Sequence, residues 1–170
     1  MNLITRYDSA LFHWMFGKMT ERSGAWVKLI SKTGDGYLYL VLALLLWAFE
    51  PSHGTVFLYT GLLAYALELP LFVILKKLFK RQRPCDIFNN FNAYVTPSDK
   101  FSLPSGHTSA AFLMASLLVH FYPMVAVVVY VWAGFVGLSR VLLGVHYPTD
   151  IVAGALLGLT ISFLTIQIMA

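Results

Sequence analysis

Residues 124–168 read MVAVVVYVWAGFVGLSRVLLGVHYPTDIVAGALLGLTISFLTIQI, in which two uncharged apolar runs enclose a short polar segment. Such runs are typical of membrane-spanning helices, each of which needs roughly 20 mostly apolar residues. The enclosed segment, residues 139–150, contains an arginine, a histidine and an aspartate. Because ionisable groups beside the hydrocarbon of a bilayer are costly, this segment is a candidate functional site.

The whole chain has the composition of an integral membrane protein. Of its 170 residues, 58% are hydrophobic and 12% are charged, whereas soluble domains are about 45–50% apolar and about 25% charged. The length fits one compact domain. The formal net charge is +4, and five of the 12 Lys and Arg residues lie within residues 76–83. The positive charge is therefore concentrated at one place in the chain.

Five apolar runs divide the chain, and each predicts a helix. Before them, residues 5–19 place apolar side chains at helical spacing beside charged ones, which predicts an amphipathic interfacial helix. We expect an all-α, polytopic bundle of five or six transmembrane helices. The five runs are residues 36–49, 55–75, 104–120, 124–138 and 146–168. The second of them contains Glu68, which either lines a cavity or is a paired structural carboxylate.

The polar motifs all fall at the ends of these runs. A basic segment, KKLFKRQRP at residues 76–84, follows the second run, and PSGH at residues 104–107 opens the third. A polar loop, residues 85–103, joins the two motifs, and the segment 139–150 joins the fourth and fifth runs. If each run crosses the membrane once, all three motifs emerge on the same face, so the sequence predicts a single site.

The segment 139–150 has the pattern S-R-x5-H-x3-D, with His146 and Asp150 four residues apart. That spacing puts both side chains on one helix face. The carboxylate can then accept the imidazole N–H and leave the other nitrogen free to attack an electrophile. Arg140 offers a planar fork for bidentate phosphate contact. The His–Asp pair has two alternative interpretations: a structural hydrogen bond, or half of a metal site whose further ligands are missing at suitable spacing.

The motif PSGH suits the start of a helix. Ser105 and Gly106 would place backbone N–H groups at the positive end of the helix, where anions bind. Gly106 also lets a phosphate approach the backbone without a side chain in the way. His107 then lies within reach of the same anion. The alternative is an ordinary helix cap without a ligand.

The basic segment contains Lys76 and Arg83 seven residues apart. This spacing is about two helical turns, so both side chains can face one point. Alternatively, the whole segment is a membrane-flanking patch that contacts anionic lipid. The remaining cations are expected to face headgroups or water: Lys77, Lys80 and Arg81.

Together, K-x6-R-P, P-S-G-H and S-R-x5-H-x3-D resemble the tripartite signature of the type 2 phosphatidic acid phosphatase family, a relative of acid phosphatases and vanadium haloperoxidases. No signature position is missing, and the resemblance covers roughly residues 34–160. The resemblance implies that His146 is the nucleophile that forms a phosphohistidine, that Asp150 orients it, and that His107 is the general acid. It also implies the groups that bind the phosphoryl oxygens: Lys76, Arg83, Arg140, Ser105 and the backbone of Gly106.

The resemblance implies a hydrolase with no metal and no cofactor, because the protein itself supplies the cations. From length, pattern and resemblance together we expect one membrane-embedded phosphatase domain over residues 1–170, with an amphipathic, interfacial N-terminal region at 1–33 and a catalytic helix bundle at 34–168. Membrane members of the family usually have six spans, whereas this chain offers five apolar runs and an amphipathic helix. The side of the N terminus and the oligomeric state stay open.

The expected substrate is a lipid-linked phosphate or diphosphate whose tail stays in hydrocarbon while its headgroup reaches His146. Isoprenoid diphosphates such as undecaprenyl diphosphate are favoured over phosphatidic acid, phosphatidylglycerol phosphate and lipid A phosphates. The expected partners are this substrate and membrane lipids, and nucleic acid is not among them. The alternative function is non-catalytic binding or transport of lipid phosphates. A haloperoxidase-like vanadate enzyme is disfavoured because those enzymes are soluble.

Charge and resemblance indicate different sides of the membrane for this site. The positive-inside rule places the basic segment in the cytoplasm. The resemblance places the site on the extracytoplasmic side, which for a bacterium is the outer face of the inner membrane. We favour the second placement, because Lys76 and Arg83 are assigned to phosphate binding and need not report topology.

Overall fold

The structure of the protein is a computed structural model that describes residues 3–88 and 92–169. Residues 89–91 of the predicted polar loop 85–103 lie outside the described residues. The described residues form eight α-helices, which confirms the all-α prediction. The helices are α1 Leu3–Phe16, α2 Glu21–Lys32, α3 Gly36–Phe49, α4 Gly54–Phe79, α5 Pro84–Ile87, α6 Gly106–Phe121, α7 Ala126–Leu142 and α8 Pro148–Met169, with a 3-10 turn at Pro123–Val125.

Each predicted apolar run forms a helix, and one polar stretch does so as well. Helix α3 coincides with the first run, whereas α4 continues beyond the second run to Phe79. Helix α2 was not predicted from its polar sequence. Its start is stabilised by a capping box, in which the Thr20 hydroxyl accepts the Ser23 backbone N–H and the Ser23 side chain accepts the Thr20 N–H.

By length and composition, three helical segments among the described residues can cross a membrane. A fourth is obtained if α2 and α3, which meet at a bend of 50°, count as one broken span, and α6 is a shorter apolar helix. The predicted five or six spans are therefore not confirmed, and the interfacial position of α1 stays a prediction. The three segments are Gly54–Ile87, which contains α4 and α5, Pro123–Leu142 and Pro148–Met169.

Helix α6 lies between α4, α7 and α8, and its most extensive contact is with α8. Two glycines of α8 allow this contact. A Cβ atom on Gly154 would lie 2.5 Å from the carbonyl oxygen of Ser105, and one on Gly158 would overlap the carbonyl of Ser109. The Ser105 N–H also donates to the carbonyl of Asp150 at 3.0 Å. The start of α6 is therefore held against the start of α8.

Helix α1 packs on the bundle beside the same helix ends. Phe12 is fully buried and forms a cluster with Val141 of α7 and Tyr147, which precedes α8. On its other side α1 exposes apolar residues, among them Tyr7 and Trp14. The N-terminal helix thus has one face that belongs to the protein core.

The bend between α2 and α3 is fixed against α7. The indole N–H of Trp132 donates to the Thr33 hydroxyl at 2.9 Å. A Cβ on Gly34 would lie 2.5 Å from Cγ1 of Val136, so this position has no room for a side chain. The chain therefore turns tightly here and presents Asp35, the N-cap residue of α3, toward the start of α6.

Candidate active site

A cavity of about 450 Å³ lies where α4 ends and where α6 and α8 begin. Two of the predicted site residues, Ser105 and Asp150, are fully buried behind its wall. The structure therefore brings the three motifs to one place. The predicted site residues that line the cavity are Lys76, Arg83, Gly106, His107, Arg140 and His146.

Arg83 joins the basic segment to His146. Its Nη1 donates to the carbonyl oxygen of Val145 at 2.7 Å and lies 3.2 Å from Nε2 of His146. Because a guanidinium nitrogen only donates, Nε2 is assigned as the acceptor, and the imidazole proton is then on Nδ1. Nε2 is therefore the nitrogen with the lone pair, on a residue that lines the cavity.

Asp150 lies beside the other nitrogen of His146. Its Oδ2 is 3.5 Å from Nδ1, which is longer than an N–H···O hydrogen bond of about 2.7–3.2 Å. The same oxygen accepts the backbone N–H of Tyr147 at 2.8 Å, which fixes the carboxylate facing the imidazole.

The environment of His146 keeps its imidazole neutral. Burial, opposed by Asp150 and assisted by the nearby Arg83 and Arg140 cations, lowers the pKa of His146 from 6.5 to about 4. At neutral pH the ring is therefore uncharged. A neutral, buried imidazole is the form that can act as a nucleophile.

Lys76 and Arg83 converge on a residue that the sequence did not single out, Asp99. Oδ1 of Asp99 lies 2.7 Å from Nζ of Lys76 and 2.8 Å from Nη2 of Arg83. Burial alone would raise the pKa of Asp99, but the hydrogen bonds from these two cations hold it below its ordinary value. An anion is thus already bound between the two cations predicted to bind phosphate.

Lys76 and Arg83 converge, but not because they lie two turns apart on one helix, as the sequence analysis predicted. Helix α4 ends at Phe79, and Lys80 follows in the left-handed conformation with φ of 47°. Arg83 therefore lies beyond the helix, and a two-turn spacing does not apply to it. The loop that carries Asp99 brings the two cations together instead.

Arg140 is anchored by the N-terminal part of the chain. Its Nη1 donates to the Ser31 hydroxyl at 2.6 Å. Its Nε is buried and has no hydrogen-bond partner within the part of the chain that the structure describes. The guanidinium lines the cavity, so it retains donor capacity for a ligand.

His107 has a carboxylate partner that the sequence analysis missed. Its Nε2 lies 3.0 Å from Oδ1 of Asp35, and both side chains are partly exposed. The sequence feature that could have identified Asp35 is its position as a single charged residue directly before the first apolar run. Burial and the Arg140 cation favour the neutral imidazole of His107, and the Asp35 carboxylate opposes them by favouring the protonated form that a general acid needs.

Gly106 has a packing role that adds to the predicted one. A Cβ atom at this position would lie 2.8 Å from Cζ of Phe72, so the ring of Phe72 fills the space that a side chain would need. Ser105 occupies the N-cap position of α6, and its hydroxyl accepts a bond from Thr108 at 2.9 Å. Phosphate contact by Ser105 and by the Gly106 backbone stays a prediction.

Arg81 does not face headgroups or water, and that prediction is wrong. It bridges Asp8 of α1 and Asp150. Glu68 combines both roles that the sequence left open, because it lines the cavity and accepts a hydrogen bond from the Ser109 hydroxyl at 2.5 Å.

Comparison with known families identifies this arrangement. The family model described as PAP2 superfamily matches residues 56–170, which is more than half of the chain. The chain belongs to the PAP2 superfamily. The resemblance seen in the three motifs is thereby confirmed, and the PAP2 match includes all eight predicted site residues.

Proteins of similar sequence and structure include phosphatases named for lipid phosphates. An undecaprenyl-diphosphatase of Sulfolobus acidocaldarius is 30% identical over 140 residues, which cover 82% of this chain and 67% of that protein. The crystal structure of Aquifex aeolicus LpxE matches with a TM-score of 0.82 at 26% identity over 93% of both chains. A transmembrane PAP2-type phosphatidylglycerolphosphate phosphatase from Bacillus subtilis matches with a TM-score of 0.81 at 28% identity, covering 99% of this chain and 87% of that one. The predicted class, a membrane phosphatase of this family, is confirmed.

The PAP2 match begins after α3, yet the first three helices contact its key residues. Hydrogen-bond or ion-pair contacts join Arg140 to Ser31 and His107 to Asp35. The site is therefore built partly from residues that the family signature does not include.

Proposed function

We propose that this PAP2 protein hydrolyses a lipid-linked phosphate or diphosphate through a phosphohistidine formed on His146. The observation that carries the proposal is the buried neutral imidazole whose Nε2 lies 3.2 Å from Arg83 on a cavity with both polar and apolar lining. The cation attracts the phosphoryl group to the nitrogen that holds the lone pair. Covalent catalysis by histidine needs this combination.

In the first step, Nε2 of His146 attacks phosphorus and the bond from phosphorus to the leaving oxygen breaks. His107 gives its proton to that oxygen, and the lipid leaves as an alcohol, or as a monophosphate when the substrate is a diphosphate. In the second step, His107 takes a proton from water, the water oxygen bonds to phosphorus and the P–N bond breaks. Inorganic phosphate is released and His146 is neutral again.

The transferred phosphoryl group carries negative charge that must be neutralised. We propose that Lys76, Arg83 and Arg140 do this, together with the Ser105 hydroxyl and the Gly106 backbone. Among residues 3–88 and 92–169, no group of three or more His, Cys, Asp or Glu side chains is arranged to hold a metal ion. We therefore expect full activity in EDTA. Complete loss in EDTA with recovery in magnesium would contradict a metal-independent mechanism.

The cavity indicates how a lipid would bind. Its apolar part lies between α3 and α4 and includes Leu40, Leu62 and Leu69, whereas its polar part includes His146 and the cations. A lipid tail would lie along the apolar part with its phosphate at His146. We propose isoprenoid diphosphates such as undecaprenyl diphosphate as the first substrates to test, because a 30% identical relative is named for that activity. Phosphatidic acid, phosphatidylglycerol phosphate and lipid A phosphates follow.

The test is phosphate release from a panel of these lipids by the purified protein, with His146→Ala as the blank. We expect release from at least one lipid phosphate and a phosphorylated protein intermediate that is labile in acid and stable in base. Binding of the lipids without turnover would instead support the non-catalytic alternative.

We also propose a membrane arrangement in which α3, α4, α6, α7 and α8 each cross the bilayer of a bacterial inner membrane. Residues 1–170 would form one domain, with the site on the extracytoplasmic side. The end of α4 and the starts of α6 and α8 converge on one cavity, which supports a common face. Cys85, the only cysteine, lies in α5 beside this face and tests the side. A membrane-impermeant maleimide should label it in intact spheroplasts. Labelling only after permeabilisation would place the site in the cytoplasm.

A further inference from the structure

We infer that Arg81 and Asp8 act as a positioning pair that holds Asp150, and through it His146, in the geometry for phosphoryl transfer. Neither residue belongs to the three-part signature, and Asp8 precedes the region that matches the family. The inference rests on the proposed function, because it concerns the nucleophile of that reaction.

The contacts form a closed group. Arg81 Nη1 donates to Oδ1 of Asp150 at 2.8 Å and to the Thr149 hydroxyl at 2.7 Å, and Nη2 donates to Asp8. Asp8 in turn accepts the Thr149 backbone N–H at 3.0 Å and the Thr149 hydroxyl. The side chains of Asp8 and Asp150 are 1% and 0% exposed, and that of Arg81 is 22% exposed. The first turn of α8 is thus tied to α1 and to the end of the basic segment.

The two oxygens of Asp150 are divided between anchoring and orientation. Oδ1 accepts Arg81, whereas Oδ2 accepts the Tyr147 N–H and faces Nδ1 of His146. Arg81 also lies over the ring of Tyr147, 4.1 Å from its centroid. Arg81 therefore contacts both the partner of His146 and its sequence neighbour, and fixes the plane of the carboxylate.

A purely structural role explains these contacts less well. Helix α1 already docks through the buried Phe12, and burying two carboxylates with one cation is costly compared with apolar packing. Asp8, Arg81 and Asp150 carry a net charge of −1 next to His146. When Nε2 bonds to phosphorus, the ring becomes cationic with its proton on Nδ1, and the group of four is then neutral. The excess negative charge is complementary to the intermediate and not to the resting state.

The first test measures turnover of the best lipid phosphate by Arg81→Gln, Arg81→Lys and Asp8→Asn. Lys77→Gln is the matched control, because it removes the same charge from an exposed residue of the same basic segment. By comparison with groups that orient metal-bound histidines, we expect kcat to fall about 10- to 100-fold in Arg81→Gln, with KM within about twofold. Arg81→Lys keeps the charge without the fork that spans two carboxylates, so we expect an intermediate loss.

The second test uses the sign of the charge. Arg81→Gln changes the net charge of the group from −1 to −2, which stabilises the imidazolium, so the acidic limb of kcat/KM should move to higher pH. Asp8→Asn changes it to 0 and should move the limb to lower pH. The double variant restores −1 and should return the limb toward the wild type. The other charged groups that affect His146, Arg83 and Arg140, are the same in all variants.

The outcomes separate this role from the proposed function. A wild-type protein that hydrolyses no lipid phosphate refutes the proposed function and this role with it. An active wild type, together with an Arg81→Gln variant whose kcat equals that of Lys77→Gln, refutes this role alone. Limbs that move in the same direction in Arg81→Gln and Asp8→Asn also refute it. If Arg81→Gln does not fold, as judged by gel filtration and thermal melting in detergent, the role is tested by the kcat of Arg81→Lys and by the pH profile of the double variant. Values equal to those of Lys77→Gln in both would refute it.

Discussion

The first three helices and the region from residue 56 onward contribute different things to the site. The later region, which matches the family, supplies every residue proposed to touch the phosphoryl group. The first three helices supply partners to those residues. Asp35 lies against His107, Ser31 binds Arg140, and Asp8 reaches Asp150 through Arg81. The later region thus contributes the reactive groups together with two of their positioning residues, Arg81 and Asp150, and the first three helices contribute further partners.

The cost of burying charged and polar groups explains why the site needs these partner residues. A buried cation or imidazole without a partner is costly, because it has lost its hydrogen bonds to water. Arg140 and His146 are both almost fully buried, and a phosphate satisfies them only while it is bound. Between turnovers, fixed partners keep these groups in place: the Ser31 hydroxyl accepts a hydrogen bond from Arg140, and Asp150 faces Nδ1 of His146.

The largest expected effect belongs to the family-matched region. Substituting His146→Ala removes the proposed nucleophile, and His107→Ala removes the proposed acid, so each should lower phosphate release by at least about 10³-fold. Thermal melting should change little. The measurement is steady-state phosphate release, with His120→Ala as the control, because His120 is exposed near the far end of α6. Turnover near the wild-type rate in His146→Ala would exclude the phosphohistidine mechanism.

The next effect tests a partner from the first three helices. Asp35→Asn keeps the shape of the side chain but removes the charge that faces His107 at 3.0 Å. General acid catalysis contributes roughly 10²–10⁴-fold, so we expect kcat to fall about 10²-fold with a phosphate monoester. The loss should be smaller with a lipid diphosphate, because a monophosphate is a better leaving group than an alcohol and needs less protonation.

The matched control for that experiment is Asp86→Asn, which removes the same charge from an exposed residue of α5. Equal losses of kcat for the monoester and the diphosphate would show that Asp35 supports the fold and not the acid. That result would also mean that Asp35 does not act as a positioning partner of His107.

The sequence predicted one set of residues and missed the other for a physical reason. His146 and Asp150 are four residues apart, so local helical geometry alone relates them. His107 and Asp35 are 72 residues apart, and Arg140 and Ser31 are 109 residues apart. Such pairs depend on how helices pack, which no local spacing records.

Arg81 and Arg83 both depart from the predictions made for the basic segment, and the local cause is the same. Lys80 takes the left-handed conformation and ends α4, so residues after it leave the helical path that their spacing suggests. Arg81 consequently turns toward Asp150 instead of solvent. The apolar runs predicted α3, α4, α6, α7 and α8, because burial in hydrocarbon selects long uncharged helices. Helix α2, with its polar sequence, forms through capping and tertiary packing that the composition did not indicate.

A smaller effect is expected from Asp99, whose carboxylate already lies between Lys76 and Arg83. A substrate phosphate must compete with it for the same cations. Asp99→Asn weakens that competitor, so we expect KM to fall by about two- to fivefold, since an ion pair of this exposure contributes on the order of 1 kcal/mol. Asp86→Asn is again the control. A rise in KM with unchanged kcat would instead show that Asp99 preorganises the two cations.

The smallest effect concerns the pH dependence of stability. It compares His146, in the family-matched region, with His13, in the first helix. The pKa of His146 in the folded protein is about 4, below its ordinary value of 6.5. Its contribution to stability is therefore fully present above pH 6.5 and is lost as the pH falls toward 4, because the unfolded chain binds the proton first. Between pH 7 and pH 5 this loss is on the order of 2 kcal/mol, which corresponds to several degrees in Tm. His146→Gln should remove that part of the decrease, whereas His13→Gln, at an exposed position of α1, should leave it unchanged. The measurement is thermal melting in detergent at both pH values. Equal decreases in wild type and His146→Gln would show that the imidazole is already charged in the folded protein, and an uncharged nucleophile would then be untenable.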